Sequence, residues 1–92
     1  MPLSNKQIKA LKTQAHHLKP VVRIGQKGIT ENVMMEINNA LEIHELIKIH
    51  IADDDRETRT QSGIDIAVQS KAELISQIGK TCILYRQKAS EA

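Results

Sequence analysis

VVRIGQKGITE, residues 21–31, compresses three structural signals into eleven positions. Val21, Val22, Arg23 and Ile24 form a short β-branched run bounded by Pro20 and Gly25, which reads as a strand. Gly25-Gln26-Lys27-Gly28 is a tight loop, in which glycine permits positive φ and lets another group approach the backbone. Thr30 suits a helix N-cap, and Glu31 in the following turn complements the helix dipole. A strand runs through a glycine turn straight into a helix start, whose backbone N–H donors are unpaired and attract anions.

Upstream, Ser4 is a plausible N-cap and Ile8, Leu11, Ala15 and Leu18 recur at helical spacing. This first helix is expected to stop near His17, because Pro20 disfavours helical geometry at Lys19. Downstream, Val33, Ile37, Ala40, Leu41 and His44 mark the expected buried face of a second helix. LIKIHI (46–51) alternates with period two, placing Ile47, Ile49 and Ile51 on a buried face and Leu46, Lys48 and His50 on a partly wet one. After ADDDRET comes a third helical stretch, with Ile64, Ala67 and Val68 as its expected apolar side. Gly63 within it costs about 1 kcal/mol relative to alanine. ELISQI (73–78) and TCILYR (81–86) flank Gly79-Lys80, a connection typical of a hairpin. QKASEA (87–92) is expected to fray.

The expected order is helix, strand, helix, strand, helix, strand, strand. Strand–helix–strand units need crossovers, and the closing hairpin adds an antiparallel pair. The economical solution is an α+β domain: a two-layer sandwich with a four-stranded mixed sheet, the docking position of the first helix left open. One domain is expected over residues 1–92, with its core at about 3–88. The chain's 92 residues, 40% of them apolar, suffice for one modest core.

Charge is distributed unevenly. Residues 1–30 carry six basic side chains (Lys6, Lys9, Lys12, Lys19, Arg23, Lys27) and no acid, whereas residues 31–92 carry seven basic and eleven acidic ones, a net of −4. Such asymmetry suggests a footprint for a polyanion, although a solvated lysine face would look the same. With no Trp or Phe and one Tyr, base stacking on an aromatic platform is excluded. Any nucleic-acid binding would work through backbone, charge and shape. No apolar stretch is long enough for a signal peptide or a membrane span, and the lone Cys82 excludes an internal disulfide. A cytoplasmic location is the expectation.

Among candidate chemistries, Gly25–Gly28 matches neither the P-loop nor the dinucleotide fingerprint. It does match the G-x-x-G loop with which KH-type domains clamp a nucleic-acid backbone, a motif that alone is also an ordinary turn. Asp53-Asp54-Asp55 suits a strand end and helix cap better than a metal site, since no further carboxylates complete an oxygen cage. His16 and His17 point about 100° apart on a helix and cannot jointly hold one metal. Cys82 reads as a buried thiol. No nucleophile–base or paired-carboxylate arrangement can be assembled, so no enzyme, metal, cofactor or small-molecule substrate is expected. Lys80 and Arg86 add cations whose relevance depends on where the fold carries them.

LKPVVRIGQKGITENVMMEINNALEIHELIKI, DRET and IGKTCILYR together closely resemble the YhbY family, the single-domain bacterial members of the CRM group (chloroplast RNA splicing and ribosome maturation). The resemblance covers essentially residues 3–88. It implies a fold like the C-terminal domain of the third bacterial translation initiation factor, RNA binding, and association with precursors of the large ribosomal subunit. The family's loop glycines fall on Gly25 and Gly28, its basic loop position on Lys27, and its C-terminal basic pair on Lys80 and Arg86. Gln26 leaves the loop's charge to Lys27 and Arg23, with Lys6, Lys9, Lys12 and Lys19 extending the track. The expected partner is ribosomal or precursor RNA, bound by a monomer and with no membrane. A protein-interaction adaptor using the Ile/Leu-rich sheet edge is the alternative.

Overall fold

A computed structural model describes residues 3–87. Its elements are α1 (Asn5–Ala15), β1 (Val22–Ile24), α2 (Glu31–His44), β2 (Leu46–Ile51), α3 (Arg56–Ser70), β3 (Glu73–Ile78) and β4 (Thr81–Tyr85), in the expected order. The expected fraying concerns residues of which 88–92 lie outside the described ones.

The strands form one mixed sheet in the order β1-β2-β4-β3, with β1 parallel to β2 and the other two pairings antiparallel. Local signals start the helices. Ser4 and Gln7 form a reciprocal capping box at α1, Thr30 accepts from the Val33 N–H at α2, and Asp55 accepts from the Thr58 N–H at α3. Glu45 and Lys71, not glycines, take positive φ at the ends of α2 and α3.

Both sheet faces carry apolar side chains. Ile47, Ile49 and Ile51 of β2 join Val22, Ile24, Cys82 and Leu84 in the main core, closed by Ile37 and Leu41 of α2 and Ile66 of α3. The opposite face is covered in part by α1, whose Ala15 packs with Leu46, Ile75 and Ile83, flanked by Ile8, Leu11 and Leu18. The expected α+β fold with a four-stranded mixed sheet is thus present, and the first helix docks on the face away from α2 and α3, so helices cover both faces. Strand alternation turns Leu74 to the main core and Ile75 to the α1 side, and a bulge interrupts the register between Leu74 and Ser76.

Three expectations about facing residues are corrected. His44 is exposed at the last turn of α2, beyond the stripe formed by Ile37 and Leu41. Ile64 and Val68 are 42% and 72% exposed, and α3 instead buries Gly63, Ile66, Ala67 and Ser70. That register is set by tertiary contacts. Gly63 lies where any Cβ would meet the Gln77 side chain, and the Ser70 hydroxyl is satisfied by the Ile66 carbonyl at 2.7 Å.

Candidate nucleic-acid interface

Gly25–Gly28 folds as a single turn closed by the Gly28 N–H on the Gly25 carbonyl at 3.1 Å. Gly28 has φ +72°, a conformation in which any side chain would be strained. Gly25 needs no such freedom, but the space where its Cβ would lie is empty. The turn therefore presents bare backbone to solvent between the end of β1 and the start of α2.

Gln26 and Lys27 are exposed on this turn, and Arg23 points out from the edge strand β1 between buried Val22 and Ile24. Neither Arg23 nor Lys27 has an ion-pair or hydrogen-bond partner among the described residues. Glu31 is the nearest acid in sequence and lies in the first turn of α2. An anion held by Lys27 thus meets attraction on the turn and repulsion from the helix start behind it.

Several other loops are drawn to the same end of the sheet. The Ala52 N–H donates to the Ile24 carbonyl, and the Ile51 N–H to the Lys80 carbonyl, so the ends of β1 and β2 and the β3–β4 turn lie side by side. Arg59 ties α3 to this end by donating to the carbonyls of Gly79 and Asp53. The aspartate cluster serves the same architecture. Asp53 accepts from the Asp55 N–H, Asp55 caps α3, and Asp54 pairs with Lys80 at 3.0 Å. Hydrogen bonds from Thr58 hold the Asp55 carboxyl below the usual carboxylate range, and Lys80 does the same for Asp54.

The sequence-derived cations therefore divide. Lys80 reaches the loop end, tied to Asp54. Arg86 does not. It follows Tyr85, which pairs with Leu46 at the start of β2, whereas the glycine turn lies beyond Ile24, which pairs with Ile51. Five residues of strand, about 17 Å, separate the two levels. The Arg86 guanidinium donates to the Asn38 side chain, the Asn38 and Ser70 carbonyls and the Glu42 carboxylate. It ties β4 to both α2 and α3. Lys6, Lys9 and Lys12 are exposed along α1, and Lys19 lies beside His17, His44 and Leu46, toward the start of β2. Lys48 and His50, on the α1 face of β2, join the set as a cation and an imidazole. Their alternation with Ile47 and Ile49 placed them there, but they lie outside the basic first third that drew attention.

Cys82 is fully buried, and burial pushes its thiol up to about 12, which leaves it inert as a nucleophile. Among the described residues no three His, Cys, Asp or Glu side chains are placed to hold a metal ion. Among the same residues no helix is long and apolar enough to cross a membrane.

Fold and turn together define a small α+β domain built around a strand–G-x-x-G–helix unit. The chain belongs to the CRS1 / YhbY (CRM) domain family, whose profile matches residues 3–86. A Haemophilus influenzae protein named as an RNA-binding protein is 49% identical over 84 residues, covering 91% of this chain and 85% of that one. A Pseudomonas aeruginosa protein, named as a probable RNA-binding protein, is 39% identical over 95% of this chain and 84% of its own length. The solution structure of a hypothetical Staphylococcus aureus protein, described as an RNA-binding candidate, superposes with a TM-score of 0.85 at 30% identity. That match covers 99% of this chain and 95% of the other.

Proposed function

We propose that this protein binds RNA through the Gly25–Gly28 turn and the cations around it, and that its target is ribosomal RNA of large-subunit precursors in the cytoplasm. The observation that carries the reading is the turn itself. Its bare backbone is flanked by Arg23 and Lys27, cations without a side-chain partner among the described residues, in a 30-residue segment free of acids. Phosphate oxygens fit such a surface, because the backbone can be approached closely and neither cation is paired with a carboxylate among the described residues. The family membership and the names of its relatives point the same way. Lys80 contributes from the same end of the sheet, and Arg86 has no part in it.

Without an aromatic platform, recognition rests on backbone and shape, so sequence preference is weak and structured RNA competes well. Filter binding across a salt series tests the core of this reading. With three to six cations engaged, log K should fall against log salt with a slope of roughly −2 to −4, at about −0.7 per phosphate neutralised. A slope near zero, or no retention of RNA, sinks the reading. Co-sedimentation with large-subunit precursor particles tests the finer claim. A protein that binds RNA but distributes evenly over all ribosomal fractions would remove the large subunit from it.

A further inference from the structure

The sheet face under α1 holds a feature separate from the glycine turn. A cleft of about 610 Å³ opens between the C-terminal half of α1 and the strands β2, β4 and β3, within the size range of small-ligand sites. Lys12 and His16 stand on its helical side, and Lys48 rises from the sheet; no carboxylate lines it. Between the two lysines lie aliphatic Ala15, Ile75 and Ile83, each less than a tenth exposed, with Ser76, Gln77 and Thr81 completing the wall. An apolar slot rimmed by positive charge suits a ligand that is flat and apolar at one end and anionic at the other.

Register connects this cleft to the turn. Arg23 pairs with His50, and His50 with Thr81, which lines the cleft. Directly paired residues share a face, so the row Arg23, His50, Thr81 leads from the edge strand that bears the turn into the cleft. The row crosses two strand spacings, about 10 Å. Within it the His50 Nδ1 is buried and has no hydrogen-bond partner among the described residues, so the row holds an unspent polar group.

We propose that the cleft receives an unpaired nucleotide of the RNA held at the glycine turn. Its base lies against Ala15, Ile75 and Ile83, and its phosphate sits between Lys12 and Lys48. This rests on the RNA-binding reading and adds a second, base-contacting site to it. Aliphatic side chains here supply the apolar contact that other RNA-binding domains draw from aromatic rings, which this chain lacks.

The test is an NMR titration of the full chain with a single-stranded hexaribonucleotide. Amides of Gly25–Gly28 and of Ser76, Gln77 and Thr81 should both shift. Lys12→Met/Lys48→Met keeps the aliphatic stems. It should abolish the second set, weaken binding about tenfold and flatten the salt slope by roughly 0.7, one phosphate contact's worth. The spectrum of the free variant, unchanged away from the substitutions, establishes that it is folded. Shifts confined to the turn overturn the cleft and leave the RNA-binding reading standing, while shifts in neither region overturn both. Inorganic phosphate reproducing the second set at equal concentration would make the cleft an anion site without a base. Movement of those amides with protein concentration alone would make its occupant a second copy. Either result overturns the proposal.

Discussion

The two ends of the sheet use cations in opposite ways. At one end Arg23 and Lys27 extend from β1 and its glycine turn into solvent without a side-chain partner among the described residues. At the other, Arg86 donates to a side-chain amide, two backbone carbonyls and a carboxylate, and its side chain is only 22% exposed. Lys80 is intermediate, at the loop end but paired with exposed Asp54. What a cation does here is set by how many acceptors the fold places around it. A charge already satisfied by protein has little to offer a phosphate, whereas an unsatisfied one gains by meeting it.

The sharpest way to break this contrast is to remove one cation from each end. Arg86→Ala leaves the Ser70 carbonyl and the Asn38 side chain without their donor, and should cost about 1.5–3 kcal/mol in urea unfolding. Arg86→Lys should recover only a fraction, since a point charge cannot fork to α2 and α3 together. RNA affinity of the folded Arg86 variants should match the parent. Lys27→Ala should do the reverse, with stability within about 0.5 kcal/mol of the parent and weaker RNA binding. If Arg86→Ala lost RNA binding while staying folded, the far end would belong to the interface.

This contrast was only half legible in the sequence. The turn was readable because its signals are local: a β-branched run, two glycines three apart and a threonine cap all act within eleven residues. Arg86 was not, because its acceptors come from residues 16 to 48 positions away. Nothing in TCILYR separates a cation for RNA from a cation for two helices. The face of α3 failed for a related reason. Ile64, Ile66, Ala67 and Val68 define no single stripe, and the choice falls to Gly63 against Gln77 and to Ser70 within the packed interior. Helix α1 was placed correctly as an element, yet the sheet face it covers emerged only from the second apolar cluster.

A charge reversal sharpens the loop side further. Gln26→Asp/Lys27→Asp keeps both glycines, so the turn can form, and adds acids before a helix N-terminus that tolerates them. Circular dichroism should show an unchanged fold. RNA affinity should fall by more than Lys27→Ala explains, because repulsion joins lost attraction. Unchanged affinity in a folded double variant would move the contact to the lysines of α1. Glu31→Gln acts in the opposite sense. It removes the carboxylate behind the turn, so RNA should bind a few fold more tightly at low salt, with the gain fading as salt rises. Helix α2 should lose about 0.3–1 kcal/mol of dipole stabilisation.

The smallest effect belongs to Lys80, the intermediate case. Its partner Asp54 is fully exposed, and such pairs are screened and lose side-chain freedom on forming, so Asp54→Asn should lower the melting temperature at pH 7 only slightly. The acid limb is where the pair should show. Lys80 lowers the Asp54 carboxyl in the folded protein, and Thr58 lowers that of Asp55. A carboxyl depressed on folding contributes stability above its unfolded pKa, near 4, and that contribution disappears as pH falls through the lower folded value. Unfolding followed from pH 5 down to 2 should therefore show a steeper loss for the parent than for Asp54→Asn, with Asp55 still titrating in both. The same substitution releases Lys80 beside the glycine turn, so RNA binding at pH 7 and low salt should tighten slightly and its salt slope should steepen. If the acid limb flattens while RNA affinity stays constant, Lys80 lies outside the RNA's reach and the interface narrows to Arg23, Lys27 and the α1 face.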